Sequence, residues 1–152
     1  MEEQFKILLQ TRSNFIKLIN FLSLEQIGSI PTGFNNSIAW NFAHSIISMQ
    51  LLTYGIAGLE LKINNAFIEK YRKGTVAESN IAQTELDMLK ELAISTVSQL
   101  QEDYDNGLFT EYKKYETSYG YPLSSIESAI AFNNVHEGLH YGYAMAQKRV
   151  FC

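Results

Sequence analysis

Two histidines stand four residues apart near the end of the chain, in the segment His136-Glu137-Gly138-Leu139-His140. Residues i and i+4 of a helix lie one above the other on the same face, about 6 Å apart along the helix axis. Two imidazoles at this spacing can converge on one divalent ion, with nitrogen–metal distances of about 2.0–2.1 Å. The spacing therefore predicts a metal site on one face of a helix.

The same segment has the His-Glu-x-x-His pattern of zinc metalloproteases. Those enzymes take a third ligand from further along the chain, but residues 141–152 contain no Asp, Glu or His. They also bind the substrate along a strand edge, and no segment of this chain has a convincing strand pattern. We therefore set the protease interpretation aside, and a third ligand has to come from upstream.

His44 is the only other histidine of the chain, and it lies in an apolar segment with Trp40 and Ser48 on its own helix face. Helical bundles build metal sites from side chains on facing helices. We therefore predict that His44, His136 and His140 together bind one divalent ion. The alternative is that the histidine pair is exposed and His44 is a hydrogen-bonded residue of the core.

Helical periodicity extends over four long segments that could position these histidines. Apolar residues recur at spacings of three and four, which is typical of one buried helix face. The predicted helices cover residues 5–22, residues 37 to about 55–58, residues 81–104 and residues 125–147, with a further turn at residues 67–71. Four such helices with two longer connections predict an all-α four-helix bundle that forms a single domain over residues 1–152.

Smaller signals refine this prediction. Ser124 and Glu127 have the spacing of a capping box at the start of the fourth helix. Gly138 and Gly142 lie inside that helix, where glycine costs about 1 kcal/mol relative to alanine. We therefore expect another helix to approach closely there. The tyrosine-rich connection at residues 112–121 is expected to cover an edge of the bundle.

Composition excludes several classes of function. Of the 152 residues, 46% are hydrophobic and 18% are charged, which is typical of a folded domain. The net charge of −4 argues against a nucleic-acid-binding protein, which would have a basic surface.

Residues 37–59 are apolar but are interrupted by polar side chains, so a buried helix is expected rather than a membrane span. The acidic N-terminus does not resemble a signal peptide, and the single cysteine, Cys152, cannot form an internal disulfide. We therefore expect a cytoplasmic protein without nucleic-acid or membrane partners.

Several stretches together resemble the DinB-like superfamily, also called the DinB/YfiT-like metalloenzymes, over nearly the whole chain. The first is Ile38-Ala39-Trp40-Asn41-Phe42-Ala43-His44, similar to the family's tryptophan-to-histidine segment. The second is residues 136–142, followed by Lys148-Arg149, and Gly120-Tyr121-Pro122-Leu123 precedes that helix. The final residues, Val150-Phe151-Cys152, depart from the family's usual ending.

The resemblance implies a four-helix bundle with a long crossover connection and a homodimer. It implies that His44, His136 and His140 hold one divalent metal ion, which could be zinc, nickel or iron. Family members of known activity are thiol S-transferases or isomerases that work with bacillithiol, mycothiol or glutathione. The resemblance thus implies a low-molecular-weight thiol and a small electrophilic substrate as partners.

Three protein ligands leave coordination positions open for water or substrate, which is the pattern of catalytic sites. The leading hypothesis is therefore a metal-dependent enzyme, and within it a bacillithiol-type thiol S-transferase. The alternatives are a metal-dependent hydrolase and a non-catalytic, stress-associated metal-binding dimer. The sequence does not separate these three, and it leaves the general base unidentified.

Other polar residues are candidates for supporting roles around the predicted ion. Glu137 is about 100° round the helix from His136 and need not face the ion. Three further residues lie on the helical stripe of the histidine pair and could contact the ligands or a substrate, namely Asn133, Tyr143 and Gln147. A cluster of basic residues could bind a thiol cofactor, namely Lys62, Lys70, Arg72 and Lys73.

Overall fold

The computed structural model describes residues 1–151, so Cys152 lies outside the described residues. Helices dominate it, and a short π-helical turn, Leu51–Gly55, continues the third helix. The α-helices in chain order are α1 (Glu2–Asn20), α2 (Leu24–Gly28), α3 (Ile38–Gln50), α4 (Asn65–Tyr71), α5 (Gln83–Asp105) and α6 (Ile126–Lys148). The four long helices, α1, α3, α5 and α6, pack against one another and confirm the predicted all-α bundle. Within residues 1–151, no helix is long and apolar enough to cross a membrane.

Helix α3 is the most deeply buried element of the bundle, because every one of its residues is buried. It begins after Ser37, whose Oγ accepts a hydrogen bond of 3.1 Å from the Trp40 backbone N–H. This cap satisfies one of the backbone donors that a helix start leaves free. Burial on all sides explains why the segment is apolar throughout. Its polar residues, His44 among them, therefore need partners inside the protein.

The start of helix α6 differs from the prediction in its cap. Ser125, not Ser124, is the N-terminal cap, and its Oγ accepts a hydrogen bond of 3.2 Å from the Ser128 backbone N–H. Ser128, not Glu127, completes the capping box, since its Oγ accepts a hydrogen bond of 3.0 Å from the Ser125 N–H. The helix begins at Ile126, one residue later than the predicted spacing requires.

Two further features correct the sequence analysis. A two-stranded antiparallel hairpin pairs β1 (Tyr115–Glu116) with β2 (Pro122–Leu123), although no strand was predicted. Its turn contains Gly120, whose φ of +83° lies in the left-handed region that favours glycine. The expected close helix approach at Gly138 and Gly142 is wrong, because a Cβ added at either position would meet nothing within 4 Å.

Candidate metal centre

The structure brings the three histidines together where α3 packs against α6. His44 comes from α3, and His136 and His140 come from successive turns of α6. One ring nitrogen of each histidine can be chosen so that all three lie within 4.8 Å of one another. The Nε2 atoms of His136 and His140 are 3.2 Å apart. The predicted set is thus spatially able to hold one metal ion.

A backbone carbonyl sets the orientation of His44. Its Nδ1 lies 2.7 Å from the carbonyl oxygen of Tyr71, at the end of α4. Because a carbonyl oxygen only accepts, Nδ1 carries the proton and Nε2 carries the lone pair. The Ser48 Oγ lies 3.1 Å from this Nε2, one turn along α3. In this tautomer the Ser48 hydroxyl donates to Nε2, and a metal ion bound at His44 would take the place of that hydrogen bond.

The amide side chain of Asn41 sets the orientation of His140. Its Nδ1 lies 2.8 Å from Asn41 Oδ1. The Asn41 amide Nδ2 donates to the Ser37 carbonyl at 2.8 Å and to Gln147 Oε1 at 3.4 Å, so its Oδ1 is free to accept from His140. Gln147 Nε2 donates in turn to the Asn36 carbonyl. This chain of hydrogen bonds places the proton of His140 on Nδ1 and leaves Nε2 for a ligand.

His136 lacks such support. Its Nδ1 is buried and has no hydrogen-bond partner among residues 1–151. The ring contacts the other two histidines, with centroid distances of 5.4 Å to His44 and 4.5 Å to His140. The triad therefore contains two histidines oriented by acceptors and one that depends on packing.

Trp40 lies one turn before His44 on α3 and packs against the site. Its ring stacks on the His44 imidazole at a centroid distance of 4.4 Å and an interplanar angle of 9°. The indole Nε1 donates a hydrogen bond of 3.0 Å to Thr75 Oγ1. This bond ties the tryptophan to the connection that follows α4 and holds the imidazole plane in place.

All three histidines favour the neutral form, which is the form that binds metal. Burial lowers the pKa of His44, and the charge of Lys73 makes a smaller contribution in the same direction. Burial, reinforced by His44 and Arg12, lowers the pKa of His136 to about 4. Burial, reinforced by the other two histidines, lowers the pKa of His140 to about 3. Protons therefore compete weakly for these nitrogens near neutral pH.

This donor set fits a divalent transition metal. Imidazole nitrogen suits zinc, nickel and iron, and two of the rings are oriented in the manner usual for metal-ligating histidines. No Asp, Glu or Cys belongs to the cluster within the described part of the chain. A site with three protein ligands leaves positions open to a small molecule.

A cavity of about 270 Å³ opens beside His44 and His136. Its walls come from the π-helical turn, the hairpin region and α6, and its lining is largely apolar and aromatic. Within the described part of the chain, Lys73 is the one charged residue that lines it, and no carboxylate does. The largest wall residues are Leu51, Leu52, Tyr115, Tyr119, Phe132 and Leu139. A small apolar molecule with a polar end fits this half-open cavity.

The predicted supporting residues separate into three groups. Gln147 reaches His140 through Asn41, and Tyr143 lines a second cavity beside His140. Asn133 instead donates a hydrogen bond of 2.8 Å to Glu137 Oε1 in the core. Of the basic cluster, only Lys73 reaches the cavity beside the triad. The others face elsewhere, with Lys62 over the Tyr54 ring, Lys70 bound to Glu78 and Glu85, and Arg72 bound to Glu69.

Sequence reasoning missed the ion pair directly behind the site. Both side chains of Arg12 and Glu137 are 0% exposed, with Nε–Oε2 and Nη2–Oε1 distances of 2.5 Å and 2.6 Å. Arg12 also donates to the backbone carbonyls of Ala93 and Ser45, at 3.3 Å and 3.4 Å. One bidentate pair thus connects α1, α3, α5 and α6. A clue was present in Arg12 itself, which stands on the apolar face of α1 between Leu8 and Phe15.

The comparisons with known proteins agree with this fold. The model of the DinB superfamily matches residues 7–144. A conserved protein from Enterococcus faecalis, known from its crystal structure, has a similar fold with a TM-score of 0.72. The two chains share 10% sequence identity, and the match covers 97% of this chain and 94% of the other. No curated protein matches the chain.

Proposed function

The chain belongs to the DinB superfamily, and we propose that it is a metal-dependent thiol S-transferase that uses His44, His136 and His140 as metal ligands. The observation that carries this proposal is the position of the triad. Three neutral imidazoles converge beside a largely apolar cavity, and no fourth protein ligand belongs to the cluster in the described residues. A site of this kind supports chemistry on a bound small molecule more than a structural role.

A divalent ion held there would ionise a coordinated thiol near neutral pH, where a free thiol with a pKa of about 8.5 is mostly protonated. The protein's own part is to orient the ligands and to exclude water. Tyr71 and Asn41 hold the rings of His44 and His140 through their Nδ1 atoms. The aromatic and aliphatic walls of the cavity would hold an apolar electrophile beside the triad.

The proposed reaction is nucleophilic substitution or ring opening. With a haloarene, a sulfur–carbon bond forms and the carbon–halogen bond breaks. The halide leaves with the bonding electron pair, and the thiol proton passes to the solvent. With an epoxide, a sulfur–carbon bond forms and one carbon–oxygen bond of the ring breaks. The ring oxygen keeps the bonding electron pair and takes up a proton from the solvent, which balances the proton that the thiol releases. Neither reaction requires an oxidant or a reductant.

The test measures conjugation of bacillithiol and of glutathione to a haloarene and to an epoxide, with and without added divalent metal. A metal-dependent rate that His140→Ala abolishes and Lys113→Met retains would support the transferase. Lys113 is an exposed residue outside the cavity and serves as the matched control. The catalysed rate should change little from about pH 7 to pH 9, whereas the background rate should rise steeply as the free thiol ionises. If neither thiol gives a metal-dependent excess over background, the transferase proposal is wrong.

A further inference from the structure

Lys73 differs from its basic neighbours in what surrounds its ammonium group. Lys70 is bound to Glu78 and Glu85, at 3.1 Å and 2.9 Å, and Arg72 is bound to Glu69 at 3.0 Å. Lys73 forms no ion pair or hydrogen bond with any residue between 1 and 151. Its charge is therefore available to a ligand.

Lys73 lies close to the histidine triad. It lines the same cavity as His44 and His136, and it follows α4, whose last residue, Tyr71, holds the His44 ring. The charge of Lys73 acts on His44, whose pKa it helps to lower. The exposed Lys73 and two histidines of the triad thus line one half-open cavity.

Most of the remaining lining of this cavity is apolar and is suited to an apolar part of a ligand. Leu51 and Leu52 come from the π-helical turn, and Phe132 and Leu139 come from α6. No carboxylate among residues 1–151 lines the cavity to compete for Lys73. An ammonium group beside low-dielectric walls attracts an anion more strongly than one in open water.

We infer that Lys73 binds the carboxylate of a ligand whose other end lies at the histidine triad, so that the cavity selects amphipathic anions over neutral molecules of the same shape. This inference rests on the proposed function, because it assigns a substrate class to the same site. The carboxylate could belong to the thiol or to the electrophile. Both sources present the same chemistry to Lys73.

Two matched pairs of probes separate the two sources. The thiol pair is 6-mercaptohexanoate and 6-mercaptohexanol. Their binding is measured from the change that they cause in the absorption of the cobalt-loaded protein. The thiol-free pair is 4-phenylbutyrate and 4-phenylbutanol, measured by isothermal titration calorimetry on the metal-loaded protein. Each pair is titrated into the parent and into Lys73→Met, Lys73→Arg and the control Lys113→Met, after the metal content of every variant has been measured.

In at least one pair the parent should bind the carboxylate about fivefold more tightly than the alcohol, as expected for a partly exposed ion pair. Lys73→Met should remove this preference by weakening the carboxylate alone, and Lys73→Arg and Lys113→Met should retain it. The pair that shows the effect identifies which substrate carries the anion. No preference in the parent for either pair, or a preference that survives in Lys73→Met, would overturn the inference.

The design separates failure of this inference from failure of the proposed function. If no thiol changes the cobalt spectrum of the parent, thiol activation is wrong. The phenylbutyrate titration still decides the role of Lys73 in that case, because it requires neither a thiol nor turnover.

Discussion

The Nδ1 atom of His140 on α6 lies 2.8 Å from the Oδ1 atom of Asn41 on α3. Both residues face into the junction between the two helices that supply the triad. The hydrogen bond fixes the tautomer of His140 and directs its Nε2 toward His136. Asn41 is thus the residue through which α3 orients His140, the candidate ligand on α6.

Replacing Asn41 tests this arrangement. Asn41→Leu removes the acceptor, so we expect metal affinity to fall about 10–100-fold, the loss typical of outer-shell partners of metal-bound histidine. Asn41→Asp keeps an acceptor oxygen and should retain affinity much better. Competition with a chromogenic chelator measures both. Equal affinities of the parent and Asn41→Leu would contradict a positioning role for Asn41.

The buried pair of Arg12 and Glu137 should matter more for stability than any exposed pair. Glu137→Gln leaves the Arg12 charge uncompensated in the core, so we expect a loss of about 3–5 kcal/mol in the free energy of unfolding. Lys6→Met removes two exposed ion pairs with Glu2 and Glu3, and should cost less than about 1 kcal/mol. Urea unfolding compares the two variants. A similar, small loss for both would show that the pair is not desolvated as the structure describes.

Two glycines should respond in opposite directions to replacement by alanine. At Gly138 a Cβ meets nothing within 4 Å, so Gly138→Ala should stabilise the protein by up to about 1 kcal/mol through helix propensity. At Gly28 a Cβ would lie 2.9 Å from the Asn80 Cα and 3.1 Å from the Ile81 nitrogen, so Gly28→Ala should destabilise it. Urea unfolding decides both cases. A destabilised Gly138→Ala variant would indicate that another surface covers this part of α6.

The metal-free protein should lose stability in mild acid. The pKa of His136 is lowered to about 4 and that of His140 to about 3, from an ordinary value of 6.5. At a pH below 6.5 and above these lowered pKa values, the histidines of the unfolded chain bind protons that those of the folded protein do not. The free energy of unfolding therefore falls as the pH drops below 6.5. Each histidine contributes up to about 1.4 kcal/mol per pH unit.

Urea unfolding of chelator-treated protein from about pH 7.5 to about pH 4.5 measures this dependence. A His136→Gln, His140→Gln variant should show a shallower slope over the same range. Equal slopes for the variant and the parent would mean that other groups control the acid sensitivity.

The sequence predicts the framework of the site well for physical reasons. Helical periodicity located the four long helices, because each must bury one face against the others. The i, i+4 spacing placed His136 and His140 on one face. His44 was predicted as their partner because it is the only other histidine and lies on another helix of the bundle, and the resemblance to the DinB-like superfamily implied the same set. The prediction of a homodimer depends on that resemblance and stays a prediction.

Three features could not be predicted, because the contacts that form them leave no pattern in the neighbouring sequence. The acceptor for His44 is the backbone carbonyl of Tyr71, an atom that every residue possesses. The hairpin strands are two residues long, too short to show an alternation of polar and apolar residues. Arg12 and Glu137 are charged residues 125 positions apart, and pairing at that distance becomes visible only in three dimensions.

The most direct test of the account is the metal content of the purified protein and its histidine variants, measured by elemental analysis. The parent should carry about one divalent ion per chain, since three converging imidazoles make a single site. His44→Ala, His136→Ala and His140→Ala should each lose most of this metal while remaining helical by circular dichroism, and Lys113→Met should keep it. A folded His44→Ala variant as metal-loaded as the parent would contradict the three-histidine site.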